Sequence, residues 1–525
     1  MGLKKAVVLL GATGVALSMA ACGGGGSGSS DGGIITVNGS EPQNPFIPAN
    51  TNEVGGGRIV DMLYSGLIYY DAEGKTHNDM AESIDLEGDK TYKVTLKKDL
   101  TFSDGSPLTS KNFVDAWNYA VRESLLNSYF FEPIKGYKEG VDSLEGLKVV
   151  DDHTFTIELE QPEADFPQRL GYSAYFPMHE SAFDDIKAYG QKPIGNGPYT
   201  LDSWNHGENA TLLPNEHYNG DRIAKNDGIK FVFYAQQDAA YNDLLAGNLD
   251  VLDAVPDTAF STFESDLGDR AVNKPVAVSQ SFTIAEGTPH FEGEEGKLRR
   301  AALSMAINRE EITSQIFGGT RTPATDFTSP VIPGHSDDLK GVDVLKYNPE
   351  KAKELWAKAE KIAPFDGQFT IAYNADGGHQ AWVDAVTNSI RNTLGIEASG
   401  NPYPDFKSLR DDITNRTIKG GFRTGWQADY PSLGNFLGSQ WGTGAGSNDS
   451  DYSNKDFDAK LNEAAGSATP EEAVPHYNEA QEILLQDLPS IPLWYSNVTG
   501  GSSEAVSNVE FDWRSQPLYY AITKS

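Results

Sequence analysis

Apolar positions along the chain change period near residue 290. Before it, strand patterns dominate. Ile34-Ile35-Thr36-Val37 is a short β-branched run that ends at Asn38-Gly39. Tyr92, Val94 and Leu96 alternate with polar residues, as in a half-buried strand. Val149-Val150 and the row Phe155, Ile157, Leu159 flank Asp151-Asp152, so 147–160 reads as a hairpin. After residue 290 the spacing is helical. Leu298, Ala301, Ala302, Met305 and Ala306 fall on one face. Asn308 with Glu311 makes an N-cap and capping box for the next helix, and Gly318-Gly319 stops it. Asn348-Pro349 opens a helix with Ala352, Leu355, Trp356 and Ala359 on one face. Thr469-Pro470-Glu471-Glu472 opens another, carrying Tyr477, Ala480, Ile483 and Leu484 up to Pro489. No internal repeat is visible. Strands and helices mix throughout, which gives an α/β or α+β class.

The first 33 residues follow a different logic. Lys4 and Lys5 precede an apolar stretch, Ala6 to Ala20, that is too short to span a bilayer. Met19-Ala20-Ala21-Cys22 then resembles the lipobox of bacterial lipoproteins, in which the cysteine is diacylated and becomes residue one. An ordinary signal peptide with a chance cysteine is the alternative. Gly23 to Gly33 reads GGGGSGSSDGG, a flexible tether with no core-forming residue. No later apolar run is long enough for a transmembrane helix.

Charge narrows the function classes. With 42 Lys+Arg against 75 Asp+Glu, the chain carries −33. That argues against nucleic acid, whose phosphates need basic partners, and against a membrane surface held by charge alone. The single cysteine excludes a disulfide framework and a cysteine-based zinc site. At 525 residues, the chain is long enough for roughly three compact units.

Catalytic signatures are missing. The nine histidines show no HExxH-type spacing, no P-loop occurs, and the one GxSxG match, Gly28 to Gly32, falls in the Gly/Ser tether and not at the strand-to-helix turn of a nucleophile elbow. Gly195-Asn196-Gly197 lacks the third glycine of a dinucleotide loop. Asp449-Ser450-Asp451 begins like a calcium loop, but position 12 is Lys460. The expectation is a binding protein with no catalytic residue, no cofactor and no resident metal.

Phe102-Ser103-Asp104-Gly105-Ser106-Pro107-Leu108-Thr109 through Trp117 reads as a strand end, a turn and a helix entered near Thr109. This stretch resembles the extracytoplasmic solute-binding proteins of peptide-type ABC importers. Further stretches agree in order: Asn44-Pro45, Leu63 to Leu67, Pro193 to Tyr199, Asn215 to Tyr218, Leu298 to Arg309, and Gly425-Trp426-Gln427-Ala428-Asp429-Tyr430-Pro431. The resemblance implies an α/β fold: a two-lobed periplasmic-binding-protein (class II) fold with an extra subdomain inserted in lobe one. Its boundaries would be a signal peptide over 1–21, a tether over 22–33, lobe one over 34–65 with 190–284 and 493–525, an inserted subdomain over 66–189, and lobe two over 285–492. The lobes would close on the ligand by hinge motion.

The same resemblance implies site residues. Asp429 would pair with the α-ammonium of a peptide, a task suited to a carboxylate. The backbone of Gly425, Trp426 and Gln427 would accept the peptide as an added strand, with Trp426 as an apolar wall. Arg423, His379 and Arg416 would meet the far carboxylate. Arg423 lies six residues before Asp429, about 20 Å along a strand at about 3.3 Å per residue. Tyr129, with Phe130 and the stretch Ile47 to Glu53, would face the ligand from the first lobe. Each of these has a plainer reading: a turn cap for Asp429, core for Trp426, an internal ion pair for Arg423, a solvated loop for His379. Expected partners are a peptide and the membrane subunits of an ABC permease, with a monomer held outside the cell membrane through the lipid on Cys22. Two rivals stay open. One keeps the fold but takes an oligosaccharide or metal chelate, with Trp382, Trp426 and Trp441 as stacking surfaces. The other is a cell-wall hydrolase or adhesin.

Overall fold

The computed structural model describes residues 33–525, Asp405 excepted. Cys22, the leader and most of the tether lie outside the described residues. The class is mixed α/β, as the alternating periods imply.

Two long strands organise the sheet. Ala271–Ile284 and Ser490–Ser502 run antiparallel at its centre, with irregular register between Pro275 and Ser279 and between Gln280 and Ser281. On one side the order continues through Val251–Leu252, Ile34–Gly39, Gly228–Phe233, Asn209–Pro214 and Tyr199–Asn205. On the other side it continues through Gly421–Gln427, Phe369–Asn374 and Ala398–Tyr403. The two central strands thus cross between the halves of one eleven-stranded sheet. Ile34–Gly39 pairs in parallel with Gly228–Phe233, and the buried Ile35 and Val37 sit beside Ile229 and Phe231.

A separate four-stranded antiparallel sheet forms from Ala81–Glu87, Thr91–Leu96, Thr154–Glu158 and Leu147–Asp151. Tyr92, Val94 and Leu96 are buried with Phe155 and Ile157, as the alternation predicts. The 147–160 hairpin forms, but Val149 and Val150 are exposed on the edge strand of this sheet. Helix Ser110–Arg122 starts at Thr109, and Asn112 reaches back to the Thr109 N–H (2.8 Å). Its Trp117 is fully buried and donates to the Tyr175 carbonyl (2.9 Å).

Pro193 to Tyr199 is a seat for the turn after helix Val54–Leu63. A Cβ at Gly195 would lie 1.9 Å from the Leu63 carbonyl oxygen, so no larger residue fits. Asn196 bonds both the N–H (3.1 Å) and the carbonyl (2.9 Å) of Ser65, and Asn215 donates to the Gly197 carbonyl (2.8 Å).

The predicted helices appear as Gly293–Met305, Arg309–Phe317, Pro349–Glu360 and Pro470–Asp487, capped by Asn308, Asn348 and Thr469 at the last three. Two details differ. Glu472 takes the Ala468 N–H (3.3 Å) instead of closing a box on Thr469. In Gly293–Met305 Leu298 is only half-buried, whereas Arg299 is fully buried. Arg299 bonds Glu295 (2.8 Å) and Glu360 (2.9 Å), with its guanidinium 4.4 Å from the Trp356 ring. Among the described residues, no helix is long and apolar enough to cross a membrane.

Candidate functional site

Strand Gly421–Gln427 is paired with Ala271–Ile284 along its whole length, from Gly421↔Ile284 to Gln427↔Val278. On its other edge, Phe369–Asn374 pairs only at Gly421 and Phe422. Residues 424–427 are therefore bridged to a neighbouring strand on one side only, among the described residues. The exposed positions are here: Gly425 and Gln427 face solvent and Trp426 is half-buried. A Cβ on Gly425 would come within 2.8 Å of the Ser279 carbonyl oxygen, so the strand keeps its backbone bare at that point.

The chain then turns. Ala428 donates to Ala277 (3.0 Å), Tyr430 is buried, and the Ser432 hydroxyl accepts from Gly434 N–H (2.9 Å) to cap helix Leu433–Trp441. On that helix the buried Asn435 faces back. Its Oδ1 accepts from the Trp426 indole (2.9 Å) and from the Asp429 N–H (3.2 Å), while its Nδ2 donates to Asp429 Oδ2 (3.2 Å).

Asp429 lies on the wall of a cavity of about 170 Å³. Four parts of the chain build it: Thr51 to Gly57 with Asp61, Tyr172 and Ser173, Gln427 to Asp429, and Arg514 with Gln516. Glu53, Asp61 and Asp429 bring three carboxylates to the walls against one guanidinium. That guanidinium, Arg514, is already paired with Asp61 (3.3 Å) and Asp512 (3.2 Å). The cavity therefore favours a cation. Among the described residues no Lys, Arg or His forms an ion pair with Asp429. Burial pushes its carboxyl above the usual range, against the opposing effects of the Asn435 bond and the Arg169 charge.

The other sequence-predicted residues fall into three groups. Tyr129 is half-exposed with its ring tilted against Phe130 (4.7 Å between centroids), which stacks on Tyr172 (4.2 Å). Burial, then the charge of Asp429, holds the Tyr129 and Tyr172 hydroxyls above the usual range, and Tyr172 shares the cavity wall with Asp429. Arg423 and His379 share a neighbourhood around Asn374. Arg423 donates to Asn374 Oδ1 (2.8 Å) and lies 4.7 Å from the Phe406 ring centroid, while His379 accepts from the Trp382 indole (3.1 Å). A Cβ on Gly377 would touch both the Asn374 amide and the His379 ring (2.6 Å each). Arg416 is elsewhere: it pairs with Asp451 (2.7 Å) and bonds Ile413 O, bracing the loop around Asn448.

That loop closes a second cavity, of about 370 Å³, under Trp426. Trp441, Gln440, Thr283 and the Arg410–Asp449 pair (2.5 Å) share its walls. Trp382 is core, edge-on to Trp494 at 5.6 Å and 3% exposed, so it offers no stacking surface. Asn435, Asp61 and Arg514 escaped the sequence reading. Ser432-x-x-Asn435 has capping-box spacing, and this was the one local signal for Asn435.

A family model described as "Bacterial extracellular solute-binding proteins, family 5 Middle" matches residues 75–448. The oligopeptide-binding protein OppA of Bacillus subtilis is 25% identical over 94% of this chain and 94% of its own. Among solved structures, the unliganded open form of the periplasmic murein tripeptide binding protein MppA has a TM-score of 0.83 at 21% identity, covering 94% of this chain and 98% of its own. Haemophilus influenzae OppA in complex with the peptide RPPGFSPFR has a TM-score of 0.72 at 21% identity, covering 94% and 99%. The chain shares the two-lobed α/β fold of these proteins.

Proposed function

The chain belongs to the bacterial extracellular solute-binding proteins of family 5, and on that premise we propose that it captures peptides with a free amino end. The peptide lies along the 424–427 edge as an added strand, through main-chain bonds that tolerate many side-chain sequences. Its α-ammonium meets Asp429. Arg423 and His379 attract its carboxylate end, and Tyr129 faces it from the opposite wall. The loaded protein hands the peptide to an ABC permease. It acts as a monomer, tethered outside the cell membrane by acyl chains on Cys22, and without catalytic turnover.

One observation carries this reading: a half-buried carboxylate with no ion-pair partner among the described residues stands in an acidic cavity, at the end of a strand with an open edge. A desolvated ammonium needs such a partner. The names of similar proteins, an oligopeptide-binding and a murein tripeptide binding protein among them, support a peptide ligand.

Calorimetry with trialanine and N-acetyl-trialanine, on wild type and Asp429→Asn, tests the site. Removing one partner of a buried pair costs about 3–5 kcal/mol, a loss of roughly two to four powers of ten in affinity. Free trialanine should show that loss in the variant, and acetylation should harm wild type far more than the variant. Binding by the variant within a few-fold of wild type would return Asp429 to a turn residue. A ligand whose binding ignores acetylation would favour an oligosaccharide or chelate. Mass spectrometry of the N-terminal peptide tests the acyl chains on Cys22.

A further inference from the structure

Asn435 touches both halves of the site through one amide. The orientation of that amide is fixed by its neighbours. Two N–H groups, the Trp426 indole and the Asp429 backbone, point at one end of it, so that end is the oxygen. The nitrogen is left facing the Asp429 carboxylate. The residue is 2% exposed, so water does not substitute for these bonds. Trp426 and Asp429 line different cavities, of about 370 and 170 Å³, and Asn435 lies between them.

We infer that Asn435 is a positioning residue that couples the two cavities: it aims the Asp429 carboxylate and the Trp426 ring together, so that a ligand group held in one cavity alters the fit of the other. The inference rests on the proposed role of Asp429 as ammonium partner, but the coupling itself is testable without any ligand. A carboxylate accepts from Asn435 Nδ2 more strongly than a neutral carboxyl does. Any change of charge at Asp429 must therefore pull on the amide, and the amide holds the indole. The charged and titratable groups around Asp429 are its neighbour Tyr430, Arg169, Tyr129 and Tyr172 from earlier in the chain, and Glu53, Asp61 and Arg514 on the cavity walls.

The first test is the emission of Trp426, taken as the difference between wild type and Trp426→Phe, and followed as pH falls from 7. It should titrate in the wild-type protein, and the titration should vanish in Asp429→Asn and in Asn435→Leu, each paired with its own Trp426→Phe control. Leucine keeps the branched shape of asparagine while replacing both polar atoms with methyl groups. No titration in wild type, or a titration that persists in Asn435→Leu, overturns the inference.

The second test is a double-mutant cycle with trialanine. Losing a hydrogen bond to a charged group weakens binding by about tenfold or more. Asn435→Ala should show that loss on the wild-type background and less than about twofold on Asp429→Asn. Equal losses on both backgrounds overturn the coupling. Should Asp429→Asn itself bind trialanine normally, the ammonium reading fails, while the emission titration still decides the coupling.

Discussion

The Ser432 hydroxyl donates to the buried carboxylate of Asp165, 267 residues away in sequence. This contact seats the end of the site strand on the segment that precedes Tyr172. Beside it, the Arg169 guanidinium pairs with Glu163 and lies 4.9 Å from the Tyr430 ring centroid. Ser432→Ala removes both the helix cap on Gly434 and the donor to Asp165. A lost cap costs about 1 kcal/mol, and a stranded buried acceptor about 1–3. Urea denaturation should show a loss of about 2–4 kcal/mol. A change below about 0.5 kcal/mol would mean that the junction holds without this bond.

Gly195 is the sharpest steric constraint near the site. A methyl there meets the Leu63 carbonyl at 1.9 Å, with backbone on both sides of the clash. Relief requires moving the Leu63–Ser65 turn and breaking the Asn196 bonds. Gly195→Ala should cost at least about 3 kcal/mol, the upper part of the range for overpacking. Thermal melting checks this. Gly207→Ala is the control: nothing lies near its Cβ position, although its positive φ (76°) carries a modest strain of its own.

Local chemistry was legible and long-range contacts were not. Thr109, Asn308, Asn348 and Thr469 announce helix starts because a cap acts within four residues. The exchange of Leu298 for Arg299 on the buried face was illegible, since Glu360 and Trp356 belong to another helix. Asp429 stood out through its motif. Asn435 did not, because a polar residue in a first helical turn normally serves its own cap. Asp61 and Arg514 reach the cavity from segments over 400 residues apart, which no spacing rule connects.

Arg423 offers a test at the other end of the ligand. It shares a face with Gly425 and Gln427 by strand alternation, about 13 Å from Gln427 at about 3.3 Å per residue, and Asp429 follows two residues after the strand ends. Its bond to Asn374 orients the guanidinium. Arg423→Gln should weaken a peptide that reaches from Asp429 to Arg423 by about tenfold, the value of one charge-assisted bond. The C-amidated form of the same peptide should lose less than about threefold. Equal losses for both forms would show that Arg423 supports the strand and does not meet the carboxylate.

The last prediction concerns pH, and its sign follows from Asp429. Burial raises the folded-state pKa of this carboxyl above its ordinary value. A group that binds its proton more tightly when folded makes the ligand-free protein relatively more stable as pH falls through the raised value, down to the unfolded value of about 4. Ionised Asp429 is thus a cost to the empty protein at neutral pH. Asp429→Asn should melt slightly higher than wild type at pH 7, and the difference should shrink to nothing near pH 4. Binding runs the other way. Only the ionised carboxylate meets an ammonium, so affinity for trialanine should fall as pH drops, beginning above the ordinary Asp value, while the weak binding of Asp429→Asn stays flat. Melting and calorimetry at matched pH separate the two effects. If wild type and variant lost affinity in parallel, the titrating group would lie elsewhere. If the variant melted lower than wild type at pH 7, Asp429 would be stabilising the empty fold and not waiting for a cation.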